Sequence, residues 1–408
     1  LPFDFLLFTF YFGRIFDHMA SIKQILQEGI VQPISDFIED SRAVGITLLA
    51  CTIISMVLSN TQFAQSYIPF WEKPFHLPES WRLPHHLLHW INDFLMAIFF
   101  FLVGMEIKQE LLTGELSTFR KAILPIAAAL GGMLFPAIIY TFINKGTPYI
   151  NGWGIPMATD IAFSLGVASL LGSRVPVSLK VFLMALAIID DLGAIVVIAL
   201  FYGDTIQWSY ILYAVLICGV LALLHFSKKL SIFRLIILGL LLWYCVFNSG
   251  IHATIAGVVM AMFVPVGKLE HYMHKIHVPV NFVILPLFAL ANTAIVIPGN
   301  FISNLNTTLS WGVMFGLLLG KPLGISILSF ITVKLKLGEM PSETSWGQMI
   351  GIGLLAGIGF TMSIFITMLA FDTEDYQDIS KIAVLIGSLA AILSGFVVLY
   401  FCGDKAKR

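Results

Sequence analysis

The stretch ALAIIDDLGAIVVIAL, residues 185–200, sets Asp190 beside Asp191 in a run that is otherwise lipid-soluble. Removing water from a carboxylate is costly, and at bilayer depth it is tolerated where a partner or a water-filled cavity receives the charge. The fold turns on whether this run crosses a membrane, and composition answers that it does. Of 408 residues, 58% are hydrophobic and only 12% charged, with a mean hydropathy of +0.91, whereas a soluble domain carries about 25% charged residues. The chain lacks the polar surface to cover a soluble particle, so it reads as an integral membrane protein. A net charge of −1 implies no nucleic-acid partner. Cys51, Cys218, Cys245 and Cys402 lie in apolar runs with no close pair and read as reduced thiols.

Apolar runs of spanning length fall near 43–60, 87–112, 120–143, 154–172, 177–202, 209–226, 233–249, 250–266, 279–298, 310–332, 346–371 and 382–403. Hydropathy therefore predicts an all-α polytopic protein of twelve transmembrane helices, with NSG at 248–250 alone separating the seventh from the eighth. Lys and Arg sort with this count. With the N-terminus inside, Lys108, Arg120, Lys121, Arg174, Lys180, Lys228, Lys229, Arg234, Lys268, Lys275, Lys334, Lys336 and the tail Lys405, Lys407 and Arg408 fall inside. Only Lys73, Arg82, Lys145 and Lys381 fall outside, which puts both termini in the cytoplasm. The division is a lead-in at 1–38, one transporter domain at 39–403 and a tail at 404–408. Residues 1–18 have no basic leader or cleavage site, and the expected natural start is Met19. The outer connection 61–86 alternates aromatic and polar residues and is expected to form a short hairpin.

Spans 3–5 (about 120–202) begin inside and spans 10–12 (about 310–403) begin outside, the parity of inverted repeats. The middle span of each has a weak point. Span 4 reads GWGIPMATDIAFSLGVASL, with Pro156 before Thr159 and Asp160, and span 11 reads GIGLLAGIGFTMSIFI, with four glycines. Interruptions at matching places point to a midplane binding site, although glycines also serve close packing alone.

Five charged side chains matter inside the membrane: Asp93, Asp160, Asp190, Asp191 and Lys321. A sodium or lithium ion is a hard cation that prefers oxygen, and Asp160, Asp191 and the Thr159 hydroxyl can supply it. Neighbours on a helix point about 100° apart, so the economical arrangement turns Asp191 to the ion and Asp190 to Lys321, removing two isolated charges at once. Such carboxylates hold protons or a metal cation but hardly both, so sodium and protons compete. GLLLGKP at 316–322 has the wrong spacing for a phosphate-binding loop and lies in an apolar helix, which excludes a nucleotide. Glu106 and Glu110 share a helical face at the inner end of span 2. His252, Glu270 and His271 join them as either a pH-sensing group or solvated helix ends. His85, His86 and His89 read as interfacial anchors.

At these residues the chain resembles the NhaA sodium/proton antiporters of bacterial inner membranes. The matching stretches are INDFLMAIFFFLVGMEIKQEL, ATDIAFSLG, FLMALAIIDDLGAIVVIA, SGIHATIAGV, LPLFALAN, GKPLGI and GIGFTMSIFI. The resemblance implies a secondary transporter rather than an enzyme, without a cofactor, with crossed and interrupted spans 4 and 11. It implies electrogenic exchange of one Na+ or Li+ for two H+, regulated by pH, and a homodimer formed through the outer hairpin and spans 1, 2, 8 and 9. Asp190 and Asp191 match the ion- and proton-binding pair, Lys321 its lysine partner, and Asp160 with Thr159 the helix crossing. Asp93 matches an accessory acid, and Glu106, Glu110, His252 and Glu270 match positions tied to pH response. Gln109 departs from the pattern, which has a basic residue between the two glutamates. The rivals are a sodium-coupled symporter, for which the sequence offers no solute pocket, and an intramembrane aspartyl hydrolase, whose shared proton Lys321 would disfavour.

Overall fold

A computed structural model describes residues 42–203, 205–297 and 305–403. The lead-in, with its expected start at Met19, and the tail lie outside the described residues. Fourteen helices position the site. They are α1 (Ala43–Ser59) and α2 (Ala64–Trp71), α3 (Leu87–Leu112) and α4 (Phe119–Ile143), and α5 (Ile161–Leu170), reached through the 3-10 segment Ile150–Met157. Next come α6 (Val177–Phe201), α7 (Trp208–Phe226), α8 (Ile232–Phe247) and α9 (Ile255–Met262). The last are α10 (Val266–Asn292) and α11 (Thr308–Lys334), then α12 (Trp346–Ala356), α13 (Phe360–Ala370) and α14 (Glu374–Gly403). No strand occurs among the described residues.

Eight helices are long and apolar enough to cross a membrane, or up to ten if each of two bent pairs, α1–α2 and α12–α13, counts as one span. The expected spans 7 and 8 fall on α8, of 16 residues, and α9, of 8, both short of the length a crossing needs by itself. The expected hairpin at 61–86 is corrected. Its first part is helical (α2), and the remainder carries a single antiparallel bridge, Pro74 to His86. Pro69, Pro74, Pro78 and Pro84 lack the N–H that a ladder needs, so pairing cannot extend.

Two interruptions face each other in the middle of the bundle. In the first, Pro156 cannot donate to a helical ladder, and the chain runs extended from Ala158 to Asp160, whose side chain caps α5 by accepting from the Phe163 N–H. In the second, Gly357–Gly359 separates α12 from α13 at a 46° bend. The Asp160 N–H donates to the Ile358 carbonyl at 2.7 Å, so each break satisfies backbone groups of the other. α4 and α11 flank the crossing and touch at Gly131 and Gly324, where a Cβ on either would collide with the other's carbonyl. That close approach carries Lys321, on α11, into the crossing.

Candidate functional site

Asp190 and Asp191 lie mid-way along α6, and both are buried. Their 100° separation on the helix gives them different surroundings. Lys321 Nζ lies 3.0 Å from Asp190 Oδ2, with both side chains fully inaccessible, and it also donates to the Met157 carbonyl that ends the 3-10 segment. The Thr159 hydroxyl lies 2.7 Å from the same Asp190 Oδ2 and 3.0 Å from the Ala356 carbonyl that ends α12. Lys321 thus meets the carbonyl end of the first interrupted segment and Thr159 that of α12, where the helix dipole is negative.

Asp191 instead lines a cavity of about 280 Å³, together with Asp160, Thr159, Thr361, Glu106 and His277. His277 is exposed, so the cavity reaches the surface between α3 and α10. Asp160 is fully engaged. Its Oδ1 accepts from Phe163 N at 3.1 Å, and its Oδ2 accepts from Thr361 N at 3.1 Å and the Thr361 hydroxyl at 2.5 Å. It joins the N-termini of α5 and α13, the positive ends that an anion stabilises. By contrast, Oδ1 of Asp190 and Oδ1 of Asp191 are buried and accept no hydrogen bond. A buried carboxylate oxygen without a donor is costly unless a proton or a cation satisfies it. Hard oxygen donors of this kind suit Na+ or Li+.

Residues 35–399 match the family model described as Na+/H+ antiporter 1. The chain belongs to the NhaA family of Na+/H+ antiporters. It is 46% identical over 377 residues to the Na(+)/H(+) antiporter NhaA of Cytophaga hutchinsonii, covering 90% of this chain and 95% of that one. It is 47% identical to Na(+)/H(+) antiporter NhaA 1 of Flavobacterium johnsoniae (90% and 96% covered) and 46% identical to the Na(+)/H(+) antiporter NhaA of Dechloromonas aromatica (92% and 97%). NhaA proteins are secondary transporters, not enzymes, and this chain is a multi-pass membrane protein of that family.

The other NhaA-matched residues scatter. Asp93 Oδ1 lies 3.7 Å from His252 Nε2, an ion pair only when the imidazole is protonated, and His252 Nδ1 lies 3.0 Å from the Thr254 hydroxyl. This pair is apart from the cavity. Glu110 is partly buried beyond Glu106 and is not in the cavity wall, and Glu270 and His271 are exposed near the start of α10, also outside it. His277, further along α10, lines it instead and accepts from the Asn281 amide at 2.9 Å. Sequence reasoning missed His277, Thr361 and Ser388. His277 is in the same helix as the singled-out Glu270 and His271, about two turns beyond Glu270 and on the same face, so position along α10 and not face separates them.

Proposed function

We propose that this NhaA-family protein exchanges cytoplasmic Na+ or Li+ for external H+, two protons per ion and therefore electrogenically, under pH control. Na+/H+ antiport itself is what the family assignment supports. The observation that carries the finer reading is the pair of orphaned Oδ1 atoms on Asp190 and Asp191. One belongs to a carboxylate in the cavity wall and the other to a carboxylate tied to a buried lysine. The ion would sit against Asp191, with Asp190 and Thr159 nearby, and Asp160 would hold the crossing that shapes the wall. Two proton-binding units, Asp191 and the coupled Asp190–Lys321 pair, facing one cation give two protons per ion.

The reading includes twelve spans, with α8 and α9 each counted, α12–α13 as one, and both termini in the cytoplasm of the bacterial inner membrane. Residues 120–202 and 310–403 would form the inverted-repeat, ion-binding part, and spans 1, 2, 8 and 9 with the 61–86 connection the part that dimerises. No cofactor is needed, because the cargo supplies the charge. Glu106, Glu110, His252, Glu270 and His271 remain proposed pH-response residues, with Glu106 favoured by its place in the cavity wall. The test is a vesicle assay. With an acid interior, added Na+ or Li+ should collapse the pH gradient of everted vesicles and K+ should not. Calorimetry in buffers of different ionisation heat should register proton release on Na+ binding; binding that releases none would end the exchanger reading.

Alternate access needs a barrier on the side away from the cavity mouth. Phe365 of α13 is fully buried among Phe100, Phe288 and His252, at ring-centroid distances of 5.5, 6.3 and 5.4 Å. These three come from α3, α10 and the α8–α9 connection, so an aromatic plug closes that half. Phe365→Ala is expected to admit a membrane-impermeant thiol reagent from outside to a cysteine placed at Met362, by at least about tenfold in rate, since cutting Phe to Ala in a packed core leaves a cavity. Unchanged labelling would put the barrier elsewhere.

A further inference from the structure

The positive end of α13 offers more donors than Asp160 takes. Thr361 N goes to Asp160, but the N–H groups of Gly359 and Phe360, just before it, both reach Ser388 Oγ at 3.2 Å. Ser388 lies on α14, is 4% exposed, and takes these two bonds from the α13 backbone rather than any from Asp190 or Asp191. Its neighbour Gly387 lets α14 close on α11: a Cβ there would press on Leu317 at 3.2 Å. The first three N–H groups at this break are thus divided between a neutral hydroxyl on α14 and a carboxylate in the cavity wall. A helix N-terminus with its donors unsatisfied recruits the nearest acceptor, and here that acceptor is Asp160.

We propose that Ser388 is a positioning residue of the ion site. By accepting from Gly359 and Phe360 it fixes the first turn of α13, so that Thr361 alone meets Asp160 and the Asp160 carboxylate stays in the cavity wall. The proposal rests on the reading of this cavity as the ion site. Without the hydroxyl, the two freed N–H groups draw Asp160 toward the helix axis and away from the cation, and Thr361 turns with it. The effect is on ion binding rather than on the maximal rate of exchange.

Ser388→Ala is expected to raise the apparent KM for Na+ about tenfold, which corresponds to about 1.4 kcal/mol of lost ion binding. The maximal rate should stay within about twofold, the pattern of lost binding rather than lost turnover. The rise in KM should persist across the pH range, and the shift in melting temperature that Na+ produces in detergent should shrink in parallel. Ser388→Thr, which keeps the hydroxyl, should restore both. If Ser388→Ala fails to accumulate in membranes, Ser388→Cys, with a weaker acceptor, takes its place under the same expectations. A folded variant with the parental KM, or with a lowered maximal rate at unchanged KM, overturns the proposal. If the parent itself shows no Na+-driven proton flux, the exchange reading fails separately, and the Na+-induced melting shift still decides the role of Ser388.

Discussion

Asp191→Asn is expected to abolish sodium-driven proton flux in vesicles, a fall of more than about a hundredfold, while the protein still folds and inserts. The size follows from losing a buried charge that faces a cation, about 3 kcal/mol or more. The sparing of the fold follows from geometry. Asp191 Oδ1 accepts no hydrogen bond, and no salt bridge to Asp191 is found among the described residues. An amide of the same shape therefore breaks no ion pair and carries no charge to desolvate. Asp160→Asn makes the instructive contrast. Asp160 binds the N-termini of α5 and α13 through three hydrogen bonds, and an amide there keeps one accepting oxygen. If Asp191→Asn transports normally, the ion does not sit against Asp191. If it fails to fold, Asp191→Glu, which keeps the charge one methylene further out, tests the same point by a raised KM for Na+.

Charge made the centre of the bundle legible in the sequence. A carboxylate or ammonium group at bilayer depth must find a partner, and with one lysine mid-span and two adjacent aspartates, the Asp190–Lys321 contact follows almost from the inventory. Hydroxyls carry no such signal. Thr52, Ser59, Thr332 and Thr367 all donate to the carbonyl one turn back in their own helix, so a serine or threonine in an apolar run usually only satisfies itself. Thr361 and Ser388 look the same in sequence, and only the second break shows that the Thr361 hydroxyl donates to the Asp160 carboxylate and that Ser388 accepts from backbone of another segment. The Asp93–His252 contact was hidden for a different reason: it joins positions 159 residues apart, and His89, four residues before Asp93, offers a nearer partner in sequence. The outer connection was misread because aromatic alternation was weighed without the four prolines that stop a ladder. The helix α9 covers only part of the expected run 250–266, because hydropathy does not register where backbone hydrogen bonding stops.

The second large effect concerns Lys321. Lys321→Ala should destabilise the protein by about 3–5 kcal/mol, the usual cost of leaving one member of a buried pair uncompensated. The loss has two parts. Asp190 keeps only the Thr159 hydroxyl, and the Met157 carbonyl loses its ammonium donor at the end of the interrupted segment. The first part depends on pH. An ionised, unpaired Asp190 is what the interior rejects, so the deficit should be largest at alkaline pH and shrink on acidification, when the carboxylate binds a proton and the charge disappears. The second part does not titrate and should remain. Adding Asp190→Asn to Lys321→Ala should therefore recover most of the alkaline loss and little of the acid-side loss. Thermal melting in detergent across pH for the parent, both single variants and the double variant reads this as a coupling energy between neighbours. Strict additivity of the two substitutions would mean that Asp190 and Lys321 do not hold each other's charge, and the proton-binding pair proposed for exchange would have to be sought elsewhere.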